Sequence, residues 1–71
     1  MLIKEVEGFI TNNKLIFEKH RLNVSISNDC VIVNKTRKLK STTLYISIKD
    51  GSVESMKKRI DNFVNKPISY V

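Results

Sequence analysis

Four cations crowd into six residues of this chain: Lys35, Arg37, Lys38 and Lys40. Thr36, Ser41, Thr42 and Thr43 are interleaved with them or follow directly. Cations, hydroxyls and free backbone amides are the donors that bind phosphate oxygens. A second cluster, Lys57-Lys58-Arg59, lies farther along. The net charge of +6 is unevenly spread. Up to residue 29, Lys4, Lys14, Lys19 and Arg21 are balanced by Glu5, Glu7, Glu18 and Asp29, whereas residues 30–49 hold Lys35, Arg37, Lys38, Lys40 and Lys49 and no acid. A local excess of this kind favours a polyanionic partner, either nucleic acid or an acidic protein surface. The competing explanation is that lysine-rich segments keep small domains soluble and blunt sheet edges.

Other chemistry is poorly provided for. His20 is the single histidine, and its neighbours Lys19 and Arg21 are a poor setting for a general base. The acids are scattered, with no spacing that makes an acid/base couple or a metal cage. Gly8 and Gly51 are isolated, so there is no phosphate-cradling loop. The lone Cys30 excludes an internal disulfide and a multi-cysteine zinc site, fits a reducing compartment, and reads as a small packed side chain. A non-enzymatic protein with no cofactor and no metal is expected. No apolar run approaches the ~18 residues of a membrane span, and the N-terminus lacks a signal-peptide core. The Asn23-Val24-Ser25 and Asn34-Lys35-Thr36 triplets are therefore read as chance matches to a glycosylation acceptor. A cytoplasmic location, with no membrane contact, is the expectation.

The elements that must position the cations follow from side-chain periodicity. Val24–Val33 reads as two short strands around Asn28-Asp29, both of which tolerate positive φ. Closing the turn with Ser27 opposite Cys30 puts Val24, Ile26, Val31 and Val33 on one face. Ser25, Ser27, Cys30 and Ile32 take the other. Leu22 falls in phase with Val24, so the first strand is expected over about 22–27 and the second over 30–34. Leu44, Ile46 and Ile48 alternate with Tyr45 and Ser47, giving a third strand over about 42–49. The polar, basic segment between them, with only Leu39 apolar, reads as a loop or a twisted strand extension longer than a minimal hairpin turn.

Leu2, Ile3, Val6, Phe9 and Ile10 recur at helical spacing, which predicts a helix over about 2–12. From residue 14 the pattern forks: Ile16, Phe17 and His20 extend the helical face to about 20, or Leu15 and Phe17 form a strand. A strand at the N-terminal segment itself is the third reading. Ser52 can cap a second helix, with Glu54 in its first turn. Val53, Met56, Ile60, Phe63 and Val64 form its apolar stripe, and Pro67 stops it, giving about 52–65. The tail Ile68–Val71 is either frayed or a short edge strand.

Together these predict one α+β domain over 1–71, of order αβββα, with both helices on one face of a three-stranded antiparallel sheet. So short a chain has a thin stability margin, for which homodimerisation is a common remedy. A seven-residue strand spans roughly 23 Å, so the 35–40 cluster and Lys57-Lys58 should lie at opposite ends of the sheet. The element order is similar to that of double-stranded-RNA-binding domains and of small toxin ribonucleases built on the same plan. Their signatures are missing: no lysine pair precedes an alanine-rich helix, and no Gly-Ser-His stretch precedes a strand. In the RNA-binding domains the first hairpin turn faces RNA, whereas here that turn carries Asp29.

The leading expectation is a small basic binding protein that contacts nucleic-acid phosphates, DNA or RNA, through the 35–40 segment, with Lys57 and Lys58 as a second grip. The alternative is an inhibitor or adaptor of a host protein that uses Ile32 and Tyr45 on the uncovered sheet face, or a sheet edge. The chain is rich in Lys, Ile and Asn and contains no Ala, a composition common in AT-rich genomes such as those of phages and other mobile elements.

Overall fold

In the computed structural model, which describes residues 1–71, the first hairpin forms in the register its side-chain alternation requires. Ser27 pairs with Cys30, Ile26 with Val31, Ser25 with Ile32 and Val24 with Val33. Asn28 takes the left-handed turn position at φ 55°, a region that asparagine enters more readily than most residues. The elements in order are α1 (Ile3–Asn12), α2 (Lys14–Lys19), β1 (Leu22–Ser27), β2 (Cys30–Arg37), β3 (Lys40–Ser47) and α3 (Val53–Phe63). The strands form one antiparallel sheet in the order β1-β2-β3. The αβββα order is thus as expected.

The core lies between the helices and one sheet face. Val31 and Val33 on the central strand are fully buried, and Ile46, Ile48 and Leu22 nearly so. Val6, Phe9 and Phe17 cover them from the N-terminal helices, and Met56, Ile60 and Val64 from the C-terminal one. Phe9 and Phe17 meet edge to face at 5.7 Å between ring centres. No helix is long and apolar enough to cross a membrane.

The fork after residue 12 resolves as helix. Phe17 is buried and Leu15 exposed, whereas a strand would turn both to one side. Asn13 sits at the joint between α1 and α2, in a break rather than a continuous helix. It falls in phase with Val6, Phe9 and Phe17 and is the one fully buried polar side chain. Its Nδ2 donates to the Phe9 carbonyl at 2.8 Å, and its Oδ1 accepts from the Val71 amide at 2.7 Å.

Of the two readings of the 35–40 segment, the strand extension holds and the loop does not, and the turn it ends in is minimal rather than longer. β2 continues to Arg37, not 34, and β3 begins at Lys40, not 42, and ends at Ser47, not 49. The connection is the two-residue turn Lys38-Leu39, closed by the pair Arg37 and Lys40. Lys38 adopts φ 54°, a conformation costing about 1–2 kcal/mol outside glycine. No Gly, Asn or Pro marks the turn, so composition alone left it invisible.

α3 begins as expected: the Ser55 amide donates to Ser52 Oγ at 3.2 Å. It ends at Phe63 rather than 65, because Asn65 takes φ 62° after the Val64 cap. The tail neither frays nor pairs as a strand. Ile68 is buried, and its amide donates to Asp61 Oδ1 at 3.1 Å. The Tyr70 hydroxyl donates its single proton to the same oxygen at 2.9 Å, and its ring lies 5.4 Å from that of Phe9. Burial pushes the Tyr70 phenol well above its usual range, and the hydrogen bond and negative charge of Asp61 add to this. A phenol raised by folding stabilises the fold fully below its unfolded pKa of about 10 and loses that contribution as pH rises beyond it. Stability should therefore fall more steeply above pH ~10 in the parent than in Tyr70→Phe, a difference that urea titrations at pH 8, 10 and 11 would measure.

Gly8 lies within α1, and a Cβ there would meet nothing within 4 Å. Gly8→Ala should therefore raise stability by about 1 kcal/mol through helix propensity alone. Thermal melts of the two proteins would check this.

Candidate nucleic-acid interface

Strand alternation decides where the basic segment points. Lys35 pairs with Leu22 and Thr42, in the same phase as Val33 and Leu44. Lys35, Arg37, Lys40 and Thr42 thus continue the core face of the sheet past the end of the helical layer. They do not form a detached crossover on the outside. Where the apolar residues stop, the chain substitutes cations, and the same face changes from apolar core to a basic, solvent-facing surface.

The ends of α2 and α3 border this surface. One depression of about 230 Å³ is lined by Lys19, His20, Arg21, Lys35, Thr36, Arg37, Val64 and Lys66. A second, of about 340 Å³, is lined by Lys35, Arg37, Lys40, Thr42, Phe63 and Asn65. Lys35 and Arg37 belong to both and form the ridge between them. No acid lines either depression. The chain's one ion pair, Lys49 with Asp29 at 3.2 Å, involves none of these residues, so no cation of the cleft is neutralised from within the molecule.

Part of this charge has a structural explanation. Cations near helix C-termini are stabilised by the exposed carbonyls there, and Lys19 lies in the last turn of α2. That does not account for Lys35, Arg37 and Lys40, which sit on strands. Arg21 also follows the end of α2 directly, but it holds φ 58° there, where glycine would be cheaper. Arg21 lies beside the ridge because its carbonyl accepts from the Thr36 amide at 3.5 Å, extending the β1–β2 ladder by one step.

Lys38 and Leu39 form the tip of the hairpin, and Leu39 is fully exposed. Lys57 and Lys58 are not brought to the cleft, which α3 borders with its last turn. Lys57 instead lies over the rings of Phe9 and Tyr70, 5.6 and 5.7 Å from their centres, a contact that stabilises the tail. Arg59 donates to the Tyr45 carbonyl at 3.2 Å, against the outer edge of β3.

Ile32 and Tyr45 pair across β2 and β3 on the face that no helix covers. Tyr45 is 61% exposed and Ile32 half-buried. Around them lie Ser25, Ser47, Cys30 and Thr43, and Asn34 Nδ2 donates to Thr43 Oγ1 at 3.0 Å. No set of three His, Cys, Asp or Glu side chains is placed to hold a metal ion.

Sequence reasoning missed Lys19, His20, Arg21, Asn65 and Lys66 as cleft residues. The signal for two of them was present. A register that pairs Leu22 with Lys35 necessarily brings His20 and Arg21 beside Thr36 and Arg37. Comparison with models of known protein families, with characterised proteins and with solved structures finds no match to this chain.

Proposed function

We propose that this chain is a non-enzymatic nucleic-acid-binding module that holds the phosphate backbone in the basic cleft. The observation that supports it is convergence. Lys19 and Arg21, then Lys35, Arg37 and Lys40, then Lys66 come from three separate stretches of sequence to one acid-free surface. Their mutual repulsion is relieved when a polyanion displaces its counterions. Thr36, Thr42 and Asn65 supply neutral donors among the cations, and phosphate contacts of this kind set position without reading base sequence. Binding should therefore be sequence-tolerant and steeply salt-dependent. Fluorescence anisotropy with unrelated duplexes between 50 and 200 mM salt tests this. Affinity that does not change with salt, or no binding to any duplex or single strand, overturns it.

A second reading rests on the uncovered sheet face. Tyr45 beside Ile32 offers a small amphipathic contact to a host protein, the geometry of an inhibitor or adaptor. Tyr45→Ala would abolish such a complex and leave nucleic-acid binding in the cleft intact.

A further inference from the structure

The two edges of the sheet are protected to different degrees. The β3 edge carries Lys40 at its start, and Arg59 occupies the Tyr45 carbonyl. β1, Leu22-Asn23-Val24-Ser25-Ile26-Ser27, has no charge, no proline and no bulge, although an open edge normally carries such guards against pairing. With Ser27 and Cys30 closing the turn, Asn23, Ser25 and Ser27 direct their amides and carbonyls to β2, so those of Leu22, Val24 and Ile26 point outward. None of these six groups appears among the backbone bonds outside the strand ladders. Val24 and Ile26 are only half-buried, whereas their partners Val33 and Val31 are fully buried.

We propose that β1 pairs antiparallel with β1 of a second copy about a two-fold axis at Val24, giving a continuous six-stranded sheet. The edge is self-complementary in that register. Val24 meets Val24 of the other copy and Leu22 meets its Ile26, so every outward N–H and C=O finds a partner, and the apolar row of one core runs into the next. Ile10, Phe17, Leu22 and Val24 line a groove beside β1, so the apolar row stays open at this edge. In the same register Asn23 of one copy stands opposite Ser25 of the other on the uncovered face, and both side chains are exposed. Strand spacing of ~4.8 Å and ~3.3 Å per residue place the two clefts roughly 30 Å apart on one face. One turn of duplex is about 34 Å. That last consequence rests on the nucleic-acid reading; the dimer does not.

Sedimentation equilibrium of the full chain should give twice the chain mass at high concentration. Hydrogen exchange adds a signature at alternate residues: Leu22, Val24 and Ile26 amides fast in dilute solution and protected when concentrated, Asn23 and Ser25 protected throughout. Val24→Pro removes an outward N–H without touching the β1–β2 ladder and should weaken dimerisation at least tenfold. Should that variant unfold, charge exchange across the new strand pair decides. The Asn23→Lys, Ser25→Lys double variant and its Asn23→Glu, Ser25→Glu counterpart should each dimerise poorly alone and recover when mixed. A monomer at ~1 mM with unprotected Val24, or a dimer indifferent to both tests, overturns the proposal. A dimer that ignores every duplex leaves it standing and removes the nucleic-acid reading instead.

Discussion

Replacing Lys35, Arg37, Lys40 and Lys66 together by glutamine is expected to lower duplex affinity by on the order of 10³ at 0.1 M salt. Each phosphate contact releases condensed counterions and contributes about 0.9 to the slope of log affinity against log salt, so four contacts contribute about 3.6. Extrapolated from 1 M to 0.1 M salt, that slope is about 3.6 decades of affinity. The fold should survive, because none of the four makes an ion pair and Arg37, Lys40 and Lys66 are exposed. The informative control is Lys58→Gln, which removes one of the chain's cations at a site away from the cleft. If binding follows net charge alone, each cleft residue and Lys58 contribute equally. If the cleft is the site, the slope drops only for the cleft residues. Lys57→Gln belongs in the same series for a different reason: it should loosen the tail over Phe9 and Tyr70 and leave the slope unchanged. Salt titrations of all these variants on one duplex separate the outcomes.

The largest effect on stability is expected at Asn13. Asn13→Ala removes the acceptor of the Val71 amide and the second donor to the Phe9 carbonyl. It also leaves a void at a site with no solvent exposure. Stranding a part-buried amide costs about 1–3 kcal/mol, and the lost contacts add to that. A total of about 2–4 kcal/mol is a large part of the stability of a chain this size, since domains hold only about 5–15 kcal/mol in all. Urea denaturation measures the loss. Asn13→Asp makes a sharper comparison. It keeps the acceptor for Val71 but sets a carboxylate against the Phe9 carbonyl in a buried site, where burial disfavours the charged form. That variant should be least stable at neutral pH and regain stability as pH falls and the acid is protonated. A pH-independent deficit in Asn13→Asp would mean that packing, not polarity, governs the joint.

Asn13 also shows where local sequence stops being informative. Asn12 and Asn13 are both poor helix formers, and the helix does break at Asn13. That the second is buried, bonded to a residue 58 positions away, depends on where the tail returns, and no local pattern encodes that. The hairpin tip shows the same limit. Lys38 has no intrinsic reason to enter the left-handed region. It does so because β2 and β3 pair on both sides of it, and ladder hydrogen bonds outweigh a turn penalty of about 1–2 kcal/mol.

The sequence by itself determined the three strands with their phase, the C-terminal helix and the identity of nearly the whole core, and it left residues 14–20 open between helix and strand. Periodicities of 2 and 3.6 sort side chains before any tertiary contact forms, and a one-residue slip would expose an apolar row. It also located the charge excess within residues 30–49. What the tertiary structure decided is which cations share a surface. Lys19, Arg21 and Lys66 join Lys35, Arg37 and Lys40 because α2 feeds β1 and α3 returns antiparallel to β3, while Lys57 is drawn onto two aromatic rings instead. Local spacing orients a side chain on its own element. Only the packing of elements distant in sequence sets which charges stand side by side, and that depends on how all the apolar faces are buried at once.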